Sequence, residues 1–110
     1  MPPGMEDMVG AFDALTLEAE ASFESGNLQQ GLVDQEGVVM FASDVIGPTH
    51  LLTADAQFRL FQKLLAAGIQ PYAEAMIDAA YGIYAEQLGP AHPSTVQLLA
   101  QSHWVYLMKG

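Results

Sequence analysis

Cysteine is absent from this chain of 110 residues, which excludes disulfides and thiolate metal sites. Basic side chains are nearly absent: Arg59, Lys63 and Lys109 stand against 13 acids, for a net charge of −10. Residues 1–58 hold ten of those acids and no Lys or Arg. A field of that sign repels phosphate backbones and disfavours nucleic-acid binding. It favours a basic partner; it also serves simply to keep an apolar chain in solution. Charged residues are scarce, at 15%, while apolar residues reach 51%, too many for a disordered chain. No apolar run approaches the ~18 residues of a membrane span. The start, Met1-Pro2-Pro3-Gly4-Met5-Glu6-Asp7, lacks the basic end and apolar centre of a signal peptide. A soluble, cytoplasmic protein is expected. Also missing are a phosphate-binding glycine loop, G-x-S-x-G and H-E-x-x-H. No catalytic residue, metal site or cofactor is expected.

What the chain does have is a repeat. Ile46-Gly47-Pro48-Thr49-His50 returns as Leu88-Gly89-Pro90-Ala91-His92, 42 residues later. Gly26, Gly68 and Gly110 share that spacing, as do Thr53 and Thr95, and Leu65 and Leu107. A fixed period of this length marks stacked supersecondary units.

Apolar residues recur at three- and four-residue steps along most of the chain. Met8, Phe12, Leu15, Ala19 and Phe23 lie on one helical face within residues 5–25, and Gly26-Asn27 stops that helix. Residues 28–46 give the weakest pattern. Gly31 and Gly37 each disfavour a helix by about 1 kcal/mol relative to Ala, and Val38-Val39 also suits a strand. The repeat decides for helix, with Gly31 admitting a close neighbour. Residues 51–67 form a helix with Leu52, Ala56, Phe58, Leu60, Phe61, Leu64 and Leu65. Residues 71–88 start at Pro71, with Ala73, Met76, Ile77, Ala80, Ile83 and Tyr84 inward. Pro93 opens a last helix to Lys109. The fold class predicted is all-α, about five helices in a single domain. Turns of about four residues make neighbours antiparallel.

The segment from Gly68 to Pro93 resembles a tetratricopeptide repeat of the 42-residue, kinesin-light-chain-like kind. Gly68, Ala73, Ala80 and the turn Leu88-Gly89-Pro90-Ala91-His92-Pro93 match that pattern. The earlier turn has Leu51 in place of the proline, and the first repeat has Gly31 and Val38 where alanines are usual. The helical C-terminal lobe of SET-and-MYND methyltransferases is similar in this region. In register, the resemblance gives repeats at 8–49 and 50–91 and a lone helix at 92–110. It implies a short right-handed solenoid whose first helices line a concave face that binds a protein or peptide segment. The groove positions are then Gln57, Arg59, Gln62, Lys63, Gln97 and Gln101, with Trp104 on an exposed seam. The alternatives are an accessory lobe of a larger enzyme and a self-association module. The register leaves helix 93–109, rich in Leu98, Leu99, Trp104, Val105 and Leu107, without a second helix to cover it. A homodimer through residues 93–109 is therefore expected.

Other candidate chemistry has a structural explanation. His50 and His92 occupy one repeat position just before a helix, where an imidazole nitrogen can accept a first-turn N–H. Equivalent repeat positions stand about 20 Å apart, too far to share a metal. The close acid pairs Glu18 with Glu20 and Asp34 with Glu36 point apart on a helix and read as solvated surface. Tyr72, Tyr81 and Trp104 are the aromatics expected nearest an exposed seam.

Overall fold

Met8, Phe12, Leu15, Ala19 and Phe23 wind onto the inner side of α1, Met5–Glu24. This computed structural model describes residues 4–108. Lys109 and Gly110, the last of the 42-spaced glycines, lie outside the described residues, as do the side chains of Tyr106 and Met108. Asn27 opens α2, Leu28–Phe41, its side-chain oxygen accepting the Gln30 N–H at 3.1 Å. Val38 and Val39 are helical, and Val38 is fully buried. The α-helical hydrogen bonding stops at Phe41. Ala42–Ile46 continues as a wider π-helical turn, closed by the Gly47 N–H donating to the Ala42 carbonyl at 2.8 Å. The chain then forms α3, Leu51–Ala66, α4, Gln70–Leu88, and α5, Pro93–Met108. Pro71 falls in the first turn of α4, where its missing N–H has no intrahelical partner to lose. Among the described residues every regular element is helical.

Each helix packs on the next in sequence: α1 on α2, α2 on α3, α3 on α4 and α4 on α5. The extents, 51 × 36 × 19 Å, give a thickness of two helix layers at about 10 Å each. Helix α3 is the shared wall. Its Ala56 joins a cluster with Phe12, Ala19, Val38 and Ala42, while Leu60, Phe61 and Leu64 join Ile77, Ala80 and Leu98.

The 42-residue period is a period of backbone hydrogen bonds. After α1, the N–H groups of Ser25, Gly26 and Asn27 donate to the carbonyls of Ala21, Phe23 and Ser22. After α3, those of Ala67, Gly68 and Ile69 donate to Lys63, Leu65 and Leu64, each 42 residues on. Gly26 and Gly68 share a left-handed φ, 85° and 80°. His50 and His92 both cap: Nδ1 accepts the Leu52 N–H at 3.0 Å in one and the Ser94 N–H at 3.1 Å in the other.

The turn before α5 carries its own test. Gly89 sits at φ 95°, ψ 151°, a region that essentially only glycine enters. Gly89→Val is expected to lower stability by about 1–3 kcal/mol. An unchanged thermal midpoint would show that the turn relaxes without strain.

Candidate functional site

Helices α1 and α3 are each the first of a pair, and a groove of about 570 Å³ runs between them. The α1 side supplies Phe12, Asp13, Thr16 and Glu20. Steps of four residues put Phe12, Thr16 and Glu20 along one edge of that helix. The α3 side supplies Leu52, Asp55, Phe58, Arg59, Gln62 and Lys63, and Gln35 of α2 reaches the floor. Phe58 is held edge-on to the buried Phe61, ring centroids 6.0 Å apart at 77°.

Charge crosses the groove. The Arg59 guanidinium donates from Nη1 to Glu20 Oε1 at 2.7 Å, tying α3 to α1. This pair is solvent-exposed, so it contributes at most about 1 kcal/mol to stability. The Lys63 ammonium lies 4.5 Å from the centroid of the Phe23 ring. The floor is polar. Gln35 is fully buried and donates from Nε2 to the Ala56 carbonyl at 3.1 Å, while its Oε1 is enclosed without a hydrogen-bond partner among the described residues. An acceptor left so costs about 1–3 kcal/mol.

Asp55 accepts a hydrogen bond from the Tyr84 hydroxyl of α4. Partial removal of its carboxyl from water raises its pKa above the usual aspartate value, outweighing the opposite pull of Arg59 and His50. The folded chain thus holds this proton more tightly than the unfolded chain. Stability from this group therefore falls as pH rises from the ordinary aspartate range through the raised value. Asp55→Asn is expected to remove that slope, seen as denaturant midpoints of the two proteins that diverge with rising pH. Parallel pH profiles would mean that the carboxyl titrates as in water.

The sequence-derived candidates fall into three places. Arg59, Gln62 and Lys63 line the groove. Gln57 lies on α3 outside it, its Oε1 enclosed and without a hydrogen-bond partner among the described residues. Gln97, Gln101 and Trp104 are on α5; Gln101 and Trp104, with Ala100, border a second cleft of about 370 Å³, and Gln97 is exposed beside it. The two clefts obey one register. Residues 58, 59 and 62 of the first correspond, 42 on, to 100, 101 and 104 of the second.

Sequence reasoning missed Phe12, Asp13, Thr16, Glu20, Gln35 and Asp55 as groove residues. The register carried a signal for two of them, because Thr16 and Glu20 stand 42 residues before Phe58 and Gln62. Gln35 also had one: it interrupts the buried series Gly31, Val38 and Ala42 with a polar side chain. Among the described residues no three His, Asp or Glu side chains gather to hold a metal ion. Compared with known proteins, the chain matches no family model, and no curated protein matches it significantly.

Proposed function

We propose that the chain is a tetratricopeptide-like binding module that holds a segment of a protein partner between α1 and α3 and performs no chemistry itself. The observation that carries this reading is the groove, which sets apolar Phe12, Leu52 and Phe58 beside the carboxylates of Asp13 and Asp55. Of the two cations present, Arg59 is already engaged by Glu20. The side chain that suits this mixture is apolar with a Lys or Arg close by, since a partner's cation meets carboxylates in a field of net charge −10. The same field argues against nucleic acid. Among the described residues no helix is long and apolar enough to cross a membrane. A cytoplasmic setting is in keeping with the lack of cysteine.

The test is selection of linear peptides displayed on phage against the intact chain. Enriched sequences should pair an aromatic or aliphatic residue with Lys or Arg. Asp13→Lys should weaken their binding at least tenfold, while Asp44→Lys, an equal charge change at an exposed residue outside the groove, should weaken it far less. Equal losses from both would reduce the interaction to long-range charge and remove the groove from it.

A further inference from the structure

The repeat register sets Gln35 apart. Its counterpart 42 residues on is Ile77 of α4, and its neighbours in the buried series match as small or apolar pairs, Gly31 with Ala73 and Val38 with Ala80. All six are buried. This position therefore belongs to the interior, and in the second repeat an isoleucine fills it with no polar atom to satisfy. Gln35 instead brings a carboxamide to the floor of the groove. The Ala56 carbonyl can only accept, so the end that meets it is the amide nitrogen and the other end is the oxygen. That oxygen has no hydrogen-bond partner among the described residues. Asp13 and Asp55, which also stand 42 residues apart, put carboxylates on the α1 and α3 walls of the same groove. Asp55 accepts from Tyr84 and feels the charge of Arg59. Among the described residues no cation pairs with Asp13.

We infer that the groove is a lysine subsite, in which a lysine of the protein partner donates from its ammonium to Gln35 Oε1 under the field of Asp13 and Asp55. This rests on the reading of the groove as a protein-binding site. The group that Oε1 lacks is a donor, because an amide oxygen can only accept. It is a cation, because the walls carry carboxylates and a charged donor makes the stronger bond. It is an ammonium rather than a guanidinium, because the acceptors stand on different helices: Asp13 on α1, Gln35 on α2 and Asp55 on α3. A compact charge with three donors takes acceptors from several sides, whereas the planar fork of arginine asks for two acceptors in one plane. Depth agrees. Oε1 is enclosed at the floor, where a partner's backbone N–H does not reach and a long side chain with a small tip does. The apolar walls, Phe12, Leu52 and Phe58, suit the methylene stem behind that tip.

The test is a nuclear magnetic resonance titration of the intact chain, its side-chain amides labelled, with blocked lysine (Nα-acetyl-lysine amide) at millimolar concentration. The probe is expected to shift the Gln35 amide resonances. Its trimethylated form keeps the charge but has no N–H to donate, and should bind about tenfold more weakly. Blocked arginine should also bind more weakly, and blocked norleucine, which keeps the stem alone, should leave the resonances in place. Gln35→Met nearly keeps the volume and removes the acceptor, an apolar exchange of the kind that Ile77 already shows in the second repeat. Followed on the Gln62 side-chain amide, this variant should lose the preference for lysine over its trimethylated form. Asp13→Asn should weaken both forms alike. Equal binding of the two forms by the unaltered chain overturns the inference, since the groove then reads charge alone. So does a preference that survives Gln35→Met. Gln35 resonances that no probe moves, as when a buried water already fills the acceptor, overturn it as well. These outcomes bear on the subsite; the displayed peptides test the groove separately.

Discussion

Phe61→Ala is expected to lower the folding free energy by about 3–5 kcal/mol, the largest single effect of any side-chain truncation in this chain. Phe61 is among the largest fully buried side chains, on the helix that both core clusters share. Truncation removes its apolar surface from the core and leaves a cavity between α3 and α4. It also removes the edge-on contact with Phe58, worth about 0.5–1.5 kcal/mol beyond burial. Against a total of about 5–15 kcal/mol for a domain of this size, that is a large share. The thermal midpoint should fall by on the order of 15 °C. Phe58→Ala provides the comparison. Phe58 is only half-buried, so its truncation should cost clearly less while stripping an apolar wall from the groove. Equal losses for the two variants, read from denaturant unfolding, would place the packing centre elsewhere than between α3 and α4.

The second large effect has a sign that helix propensity gets wrong. Glycine inside a helix is normally a weakness, and replacing it stabilises by about 0.5–1 kcal/mol. At Gly31 the opposite is expected. A β-carbon there would stand 2.6 Å from Cδ1 and Cε1 of Phe23 and 2.8 Å from its Cγ. The ring is close to its own backbone anchor at Cγ and has the Lys63 ammonium over it at 4.5 Å, so it has little room to yield. Gly31→Val should therefore destabilise by about 3 kcal/mol, as overpacking a filled site does. It should also move Lys63, and with it the rim of the groove. A β-carbon at Gly37, six residues on in α2, would meet no atom within 4 Å, so Gly37→Ala should raise stability by about 0.5–1 kcal/mol. Two glycines of one helix thus give opposite signs. Gains at both positions in thermal unfolding would mean that Phe23 does not press on α2.

Residues near one another in sequence settled the helices and their ends. Gly26, Gly47, Gly68 and Gly89 all take positive φ, as their places after helices required. Pro71 falls in the first turn of α4, and His50 and His92 cap the helices that follow them. Each of these depends on a residue's own φ, its missing N–H or a bond reaching two residues away. Such chemistry repeats whenever the sequence does, which is why a 42-residue spacing foretold hydrogen bonds one for one. The interior of α2 was also legible as helix, although its last turn widens at Ala42–Ile46 in a way that the apolar spacing of residues 28–46 did not mark.

The groove was decided by packing. Arg59 meets Glu20 across 39 residues of chain, and Gln35 meets the Ala56 carbonyl across 21. Neither contact leaves a trace in the spacing of apolar residues, because both follow from how far apart α1 and α3 stand once α2 lies against them. The sequence marked Gln57 and Gln62 alike, as polar positions of one helix. Their fates differ because a turn of the helix carries one out of the groove and the other into it. The reason for Gly31 lies likewise in the Phe23 ring, which only the crossing of α1 and α2 brings to its Cα. Local chemistry repeats with the sequence; contacts between helices depend on distances and rotations that the whole set of packed side chains fixes together.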